Sequence, residues 1–97
     1  MAIRALNESE IAQELKNAPL WKREGKEIVR VFQFKTFLES IGFVTAVAVA
    51  AEKADHHPDM LIQYSKVTMR LSTHDCDGLS ARDFALAKVS DGLFGKA

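Results

Sequence analysis

The chain has 97 residues and a formal net charge of zero, with 13 basic and 13 acidic side chains. That length fits one compact domain, so residues 1–97 are assigned to a single domain. The balanced charge argues against a nucleic-acid partner, because a general nucleic-acid binder needs a basic excess to displace phosphate counterions. The most apolar stretch, 41–51, is too short to cross a membrane. The single cysteine, Cys76, cannot form an internal disulfide, and we expect a cytoplasmic protein.

The predicted elements alternate between helical and strand periodicity. Asn7 and Glu10 have the spacing of a capping box, and Gly25-Lys26 fits the tight turn of a hairpin. The elements are a helix over 8–17, strands over 20–24 and 27–34, a helix over 36–54, strands over 60–64 and 66–73, and a helix from Ser80 to Gly92. Hairpins favour antiparallel pairing. The order α-β-β-α-β-β-α therefore predicts a two-layer α+β domain, with three helices on one face of a four-stranded antiparallel sheet.

The long central helix is predicted to turn one apolar stripe toward the sheet. Its apolar residues recur with steps of three and four, which is the spacing of an amphipathic helix. The stripe consists of Phe37, Ile41, Val44, Ala48 and Ala51. Pro58 is predicted to end the helix, because the residue before a proline is pushed out of helical space. No predicted element is left to cover the outer face of the sheet.

All three histidines fall in two short segments near predicted element ends. His56 and His57 follow the long helix, and His74 ends the last strand. If the helix packs antiparallel across the sheet, the three imidazoles share one pocket at the sheet edge. Histidine gains and loses a proton near neutral pH, so such a pocket suits general acid and base catalysis. Carboxylates that can orient the imidazoles are Glu52, Asp55, Asp75 and Asp83.

Other interpretations of the same residues stay open. Histidines in loops are often no more than solvated polar residues. A zinc site is disfavoured, because adjacent histidines diverge and the usual paired-ligand spacings are absent, so no metal is expected. Cys76 is expected to be a half-buried thiol rather than a nucleophile. Arg82 either forms a surface pair with Asp83 or helps to orient the site.

Two segments carry a resemblance to a known family. Residues 51–59 read Ala-Glu-Lys-Ala-Asp-His-His-Pro-Asp, which resembles the Glu-Lys-x-x-His-His-Pro-acid signature of the pterin-4a-carbinolamine dehydratases. Residues 71–75, Leu-Ser-Thr-His-Asp, followed by Gly78-Leu79-Ser80 and Asp83, resemble the second half of that signature. The resemblance covers nearly the whole chain. Met60 stands where family members commonly carry a tryptophan, and this departure alters the expected wall of the pocket.

The resemblance implies a lyase that removes water from a 4a-hydroxytetrahydropterin and yields a quinonoid dihydropterin. This reaction recycles the tetrahydropterin cofactor of aromatic amino acid hydroxylases, so such a hydroxylase is an implied functional partner. The implied acid–base set is His56, His57 and His74; the implied pterin-binding set adds Asp55, Ser72, Thr73 and Asp75; the implied supporting carboxylates are Glu52 and Asp83. Pterin is the substrate, and no metal or organic cofactor is needed.

The resemblance also implies a homodimer or homotetramer. An uncovered sheet in so short a chain gives a physical reason for self-association. Some members of the family act without catalysis, either by stabilising dimers of a transcription factor or as assembly factors. The alternative function is therefore a non-catalytic dimerisation or assembly module, which has no need of a histidine cluster.

Overall fold

Three α-helices and four strands follow one another in the predicted order in a computed structural model that describes residues 3–95. The elements are α1 (Glu8–Lys16), β1 (Lys22–Glu24), β2 (Glu27–Gln33), α2 (Phe37–Ala54), β3 (Asp59–Gln63), β4 (Lys66–Leu71) and α3 (Ala81–Gly95). The α+β class and the order α-β-β-α-β-β-α are confirmed. A short 3₁₀ turn, His74–Cys76, follows β4 and was not predicted from the sequence. The ends of the predicted domain, residues 1–2 and 96–97, lie outside the described residues.

The sheet is antiparallel throughout, with the strand order β1-β2-β4-β3. In its centre Ile28 lies opposite Leu71, and Phe32 lies opposite Val67. Gly25 has a φ of +63° in the two-residue turn that joins β1 to β2. Glycine enters this left-handed region without steric cost, so the predicted tight hairpin is confirmed at the residue that permits it.

The core lies between one face of the sheet and the helices. Ile28, Phe32 and Met69 are fully buried on that face. Phe43 of α2 joins them, with its ring centroid 4.6 Å from that of Phe32. Ile11 of α1 and Phe84, Leu86 and Ala87 of α3 belong to the same cluster. Burying each large apolar side chain stabilises the fold by about 1.5–3 kcal/mol, so this cluster fixes how the helices sit on the sheet.

The side of α2 that meets the sheet differs from the predicted one. Its buried residues are Ser40, Phe43, Val47 and Ala51. Only Ala51 of the predicted stripe is buried; Phe37 is 52% exposed, Ala48 is exposed, and Ile41 and Val44 are half-buried. The helix is apolar on nearly every side, so spacing alone does not select the side that packs. Neither α2 nor any other helix within residues 3–95 is long and apolar enough to span a membrane.

Apolar side chains remain exposed on two surfaces. On α2, Leu38 is 78% exposed and Val49 is 54% exposed. On the outer face of the sheet, Val31 and Leu61 flank Thr68 in register, and both are more than half exposed. Residues 3–95 therefore leave the outer face of the sheet uncovered, as predicted.

The last helix continues beyond the glycine that was predicted to end it. Phe84, Leu86 and Ala87 are buried as expected, whereas Val89 is 45% exposed. Gly92 lies on the exposed side of α3, which runs on to Gly95. A glycine within a helix costs only about 1 kcal/mol relative to alanine. Packing of Leu93 and Phe94 against the core opposes that cost, so the predicted end was wrong by three residues.

The predicted capping box starts α1. The Asn7 side chain accepts a hydrogen bond of 2.8 Å from the Glu10 backbone N–H, and the Glu10 carboxylate accepts one of 2.9 Å from the Asn7 backbone N–H. Arg4 donates two further hydrogen bonds to the same carboxylate, at 2.7 and 2.9 Å. The hydrogen bond from Arg4, followed by that from Asn7, lowers the pKa of Glu10 from 4.5 to about 2.

We expect the start of α1 to loosen as the pH falls from 4.5 to about 2, the interval between the ordinary pKa of Glu10 and its lowered value. Folding favours the ionised carboxylate, so the stabilisation is present above pH 4.5 and is lost as the pH falls through the folded pKa. Hydrogen-exchange protection of the Ile11 amide, which donates to the Asn7 carbonyl, should decline across this interval. Glu10→Gln should remove the pH dependence, and added salt should weaken it because the carboxylate is exposed. Identical protection curves for wild type and Glu10→Gln would contradict the assignment.

Candidate active site

The end of α2 sets the position of His56. Asp55 has a φ of 50°, its N–H donates to the Glu52 carbonyl at 3.2 Å, and the His56 N–H donates to the Ala51 carbonyl at 3.1 Å. These two bonds form a Schellman motif, in which the left-handed position is usually glycine and is also tolerated by aspartate. The helix therefore ends before Pro58, the residue predicted to stop it. His56, which follows this motif, is only 8% exposed.

A fully buried carboxylate contacts the His56 ring. Asp83 lies in the first turn of α3, and its Oδ1 is 2.6 Å from His56 Nε2. Its Oδ2 accepts hydrogen bonds from the Thr73 hydroxyl at 2.7 Å and from the Ser80 backbone N–H at 3.0 Å. The N-terminal end of a helix also favours a negative charge. Both oxygens of the buried carboxylate are thus satisfied, which a charge removed from water requires.

The other two histidines are exposed. His57 Nε2 lies 2.7 Å from Glu52 Oε1, with 58% and 77% of the respective side chains exposed. Such a surface pair orients the ring only weakly. His74 begins the 3₁₀ turn, and its side chain makes no hydrogen bond to the part of the chain that the structure describes. A β-bridge between Thr73 and Gly78 closes the loop that carries it.

One cavity of about 210 Å³ brings the predicted site residues together. It is lined by Asp55, His56, His57, Ser72, Thr73, His74 and Asp75, together with Ile3 and Arg82. Glu52 and Asp83 are outside the lining and act on it through His57 and His56. Two larger cavities, of about 410 and 390 Å³, have no histidine in their walls. The three imidazoles therefore lie on one side of the molecule, as the proposed chemistry requires.

Two residues of the cavity wall were not in the predicted sets. Ile3 reaches the cavity because the Leu6 N–H donates to the Leu79 carbonyl at 2.8 Å, which ties the N-terminal segment to the start of α3. No periodicity before the first helix signals this. Arg82 lines the cavity and makes no ion pair with Asp83, whose side chain is buried within the fold. Met60 is absent from the lining.

The structure also describes the residues behind the two alternative interpretations, a metal site and a reactive cysteine. Within residues 3–95, no group of three or more histidine, cysteine or carboxylate side chains is arranged to hold a metal ion. Cys76 is half-buried, with its thiol 3.6 Å from the Thr73 carbonyl oxygen. The imidazoles and carboxylates that line the cavity are groups of the kind that form hydrogen bonds and exchange protons with small ligands.

Relatives of known sequence identify the family of the chain. A sequence model of the family described as pterin 4 alpha carbinolamine dehydratase matches residues 4–93. A protein of Chloroflexus aurantiacus, provisionally named a pterin-4-alpha-carbinolamine dehydratase, is 49% identical over 90 residues, which cover 93% of this chain and 97% of that protein. A protein of a Picosynechococcus species with the same provisional name is 47% identical over 88 residues, covering 91% and 96%.

Solved structures share the fold. A crystal structure of a transcriptional coactivator/pterin dehydratase from Brucella melitensis matches with a TM-score of 0.91 and 33% identity, over 94% of this chain and 99% of that one. A pterin dehydratase-like protein identified as a RuBisCO assembly factor in the alpha-carboxysome matches with a TM-score of 0.68 and 24% identity, over 77% and 89%, and shows a common fold alone. On the match to the family's sequence pattern and the identity to its members, the chain belongs to the pterin-4a-carbinolamine dehydratase family.

Proposed function

We propose that the protein dehydrates a 4a-hydroxytetrahydropterin to the quinonoid dihydropterin, with its histidines as the acid–base set. The observation that carries the proposal is the single cavity lined by His56, His57 and His74. Proton transfer needs such groups within hydrogen-bond reach of one ligand. Pockets for drug-sized ligands have volumes of about 300–1,000 Å³. The smaller volume of this cavity, about 210 Å³, suits a bicyclic ring whose substituent extends into solvent.

The proposed reaction breaks the C4a–oxygen bond and forms a double bond between C4a and the adjacent ring nitrogen. Hydroxide is a poor leaving group, so an imidazolium donates a proton and the hydroxyl departs as water. The electron pair of the ring nitrogen forms the new bond, and a neutral imidazole takes the proton that this nitrogen loses. One proton is given and one is taken, so no oxidant or reductant is consumed.

His56 is held for proton exchange through Nδ1. Asp83 Oδ2 already accepts two hydrogen bonds, and Oδ1 lies 2.6 Å from His56 Nε2, within hydrogen-bond distance. Nδ1 makes no hydrogen bond to residues 3–95, so it is left for the ligand. A ring that is oriented before the ligand binds needs little reorganisation when the proton moves.

His57 and His74 supply the second proton exchange in this proposal. Both are exposed at the cavity, and Glu52 Oε1 lies 2.7 Å from His57 Nε2. Asp55 and Asp75 offer carboxylate oxygens to the amino and ring N–H groups of a pterin, which are hydrogen-bond donors. The Ser72 hydroxyl lies in the same wall.

The proposal includes a homo-oligomer and a functional link to an aromatic amino acid hydroxylase. The exposed apolar side chains of Leu38 and Val49 on α2, and of Val31 and Leu61 on the sheet, support self-association. A hydroxylase that leaves its pterin with a 4a hydroxyl supplies the substrate.

An ultraviolet absorbance assay tests the proposed activity. A 4a-hydroxytetrahydropterin is generated in solution by an aromatic amino acid hydroxylase, and its decay to the quinonoid product is followed with and without the protein. We expect acceleration in proportion to protein concentration. Decay at the uncatalysed rate with equimolar protein would contradict the enzyme and favour a non-catalytic module, the role for which the alpha-carboxysome protein is named.

A further inference from the structure

We infer that Thr73 and Ser80 are positioning residues, whose hydroxyls form a relay that fixes Asp83 and, through it, the protonated nitrogen of His56. The effect of the relay on catalysis rests on the proposed function. Its effect on the imidazole concerns the free protein and needs no substrate.

The direction of each hydrogen bond follows from the number of hydrogens available. The Thr73 hydroxyl has one hydrogen, which it donates to Asp83 Oδ2 at 2.7 Å. The 2.7 Å contact between the two hydroxyls is therefore donated by Ser80 Oγ and accepted by Thr73 Oγ1. Ser80 Oγ in turn accepts from the Arg82 backbone N–H at 3.2 Å. The relay thus runs in one direction, from Ser80 through Thr73 to Asp83.

The relay leaves Asp83 only one role toward His56. Oδ2 receives hydrogens from the Thr73 hydroxyl and the Ser80 backbone N–H, and the first turn of α3 stabilises negative charge, so we infer that Asp83 is an ionised carboxylate that only accepts hydrogen bonds. Oδ1 then accepts from His56 Nε2, which is consequently the protonated ring nitrogen. Charge-assisted hydrogen bonds of this kind are about twice as strong as neutral ones, so the orientation of the carboxylate is well fixed.

Burial makes the relay hard to replace with solvent. The exposed fractions are 0% for Asp83, 1% for Ser80, 3% for Thr73 and 8% for His56. A donor removed from so buried a site leaves its acceptor unpaired, and partly satisfied buried networks lose their geometry.

Thr73 has no hydrogen-bond donor left for a ligand. Its backbone N–H donates to the Gly78 carbonyl at 2.8 Å, and its carbonyl accepts from the backbone N–H groups of Gly78 and Cys76, each at 3.3 Å. Its hydroxyl is occupied by Asp83 and Ser80. Thr73 therefore acts on the cavity by positioning Asp83, and through it His56.

Four variants distinguish the effect of losing a hydroxyl group from the effect of changing the volume of the side chain. Thr73→Val removes the hydroxyl at nearly constant volume, and Thr73→Ser restores it. Ser80→Ala removes the first donor of the relay and leaves both direct donors to Asp83, the Thr73 hydroxyl and the backbone N–H, in place. Thr68→Val is the matched control, because it makes the same chemical change on the outer face of β4, the strand that precedes Thr73.

The protonation site is read by nitrogen NMR of the histidine rings in the free, full-length protein. In wild type and Thr68→Val we expect neutral His56 to be protonated at Nε2 alone, with a slowly exchanging Nε2 hydrogen. Thr73→Val should give a mixture of the two tautomers and fast exchange. Ser80→Ala should have a smaller effect, and Thr73→Ser should restore the wild-type spectrum.

The dehydration assay supplies the second readout. Thr73→Val should lower kcat on the order of tenfold to a hundredfold with little change in KM, since small displacements of a reacting group cost rates of that order. Thr73→Ser should recover most of the loss. A single Nε2-protonated tautomer with unchanged exchange in Thr73→Val would overturn the inference, and if that variant does not fold, an unaltered spectrum in Ser80→Ala would overturn it. If wild type shows no dehydratase activity but its spectrum responds to Thr73→Val, the proposed function fails and the relay stands.

Discussion

His56→Ala is expected to lower the rate of pterin dehydration by about 10²–10⁴, the usual contribution of one general acid or base. Asp83 holds the His56 imidazole in a fixed orientation, and no other side chain of the cavity takes over its position when it is removed. The measurement is the steady-state dehydration rate of the purified variant, with unfolding by urea recorded on the same sample.

His57→Ala is the matched comparison for that experiment. The same range of activity loss is expected, but the ring is 58% exposed, so the free energy of unfolding should stay within about 0.5 kcal/mol of wild type. His56→Ala also removes the partner of a buried carboxylate, and its free energy of unfolding should fall. Near-normal turnover of both variants would remove the histidines from the proposed mechanism.

Asp83→Asn is expected to lower the free energy of unfolding by about 3 kcal/mol, in the range for breaking a buried, hydrogen-bonded charge. An amide presents one nitrogen donor in place of an oxygen acceptor. That nitrogen faces either the Ser80 N–H and the Thr73 hydroxyl, which are both donors, or His56 Nε2. Each orientation loses at least one hydrogen bond or reverses the protonation of the imidazole.

Urea unfolding at fixed protein concentration, followed by the fluorescence of the buried Trp21, measures this loss. Asp59→Asn is the control, because Asp59 is exposed and its side chain makes no hydrogen bond to the described part of the chain. Its free energy of unfolding should change by less than about 0.5 kcal/mol. Equal stabilities for the two asparagine variants would contradict a structural role for the Asp83 network.

The sequence predicted the elements whose local chemistry is decisive. Gly25 favours a tight turn with a positive φ, and Asn7 with Glu10 favours a capping box at the start of a helix. The predicted positions of the hairpin turn and of the start of α1 were therefore correct. No comparable local signal indicates which side of α2 is buried. Its apolar residues surround the helix, and the buried side is chosen by contacts such as that between Phe43 and Phe32, which spacing along one helix does not encode.

The candidate site shows the same division. Three histidines in two segments were visible in the sequence, and so was Asp83 at the start of a helix. The contact between His56 and Asp83 depends on the left-handed conformation of Asp55, which a sequence without glycine at that position does not announce. The hydroxyl relay also requires distances that spacing does not give. The assignment of Thr73 to ligand binding stays a prediction; its hydrogen-bond donors are used within the protein.

The Schellman motif at the end of α2 couples the opening of the site to the fraying of a helix. The backbone N–H of His56 donates to the Ala51 carbonyl, and this hydrogen bond is one of those that close the last turn of the helix. The backbone of His56 therefore moves only when that turn unwinds, and Asp83 holds the ring on this fixed backbone, so a docking ligand meets a wall that is already ordered. The protein then loses little conformational entropy when the ligand binds. The lifetime of the complex depends on the contacts that the ligand makes and not on a rearrangement of the protein.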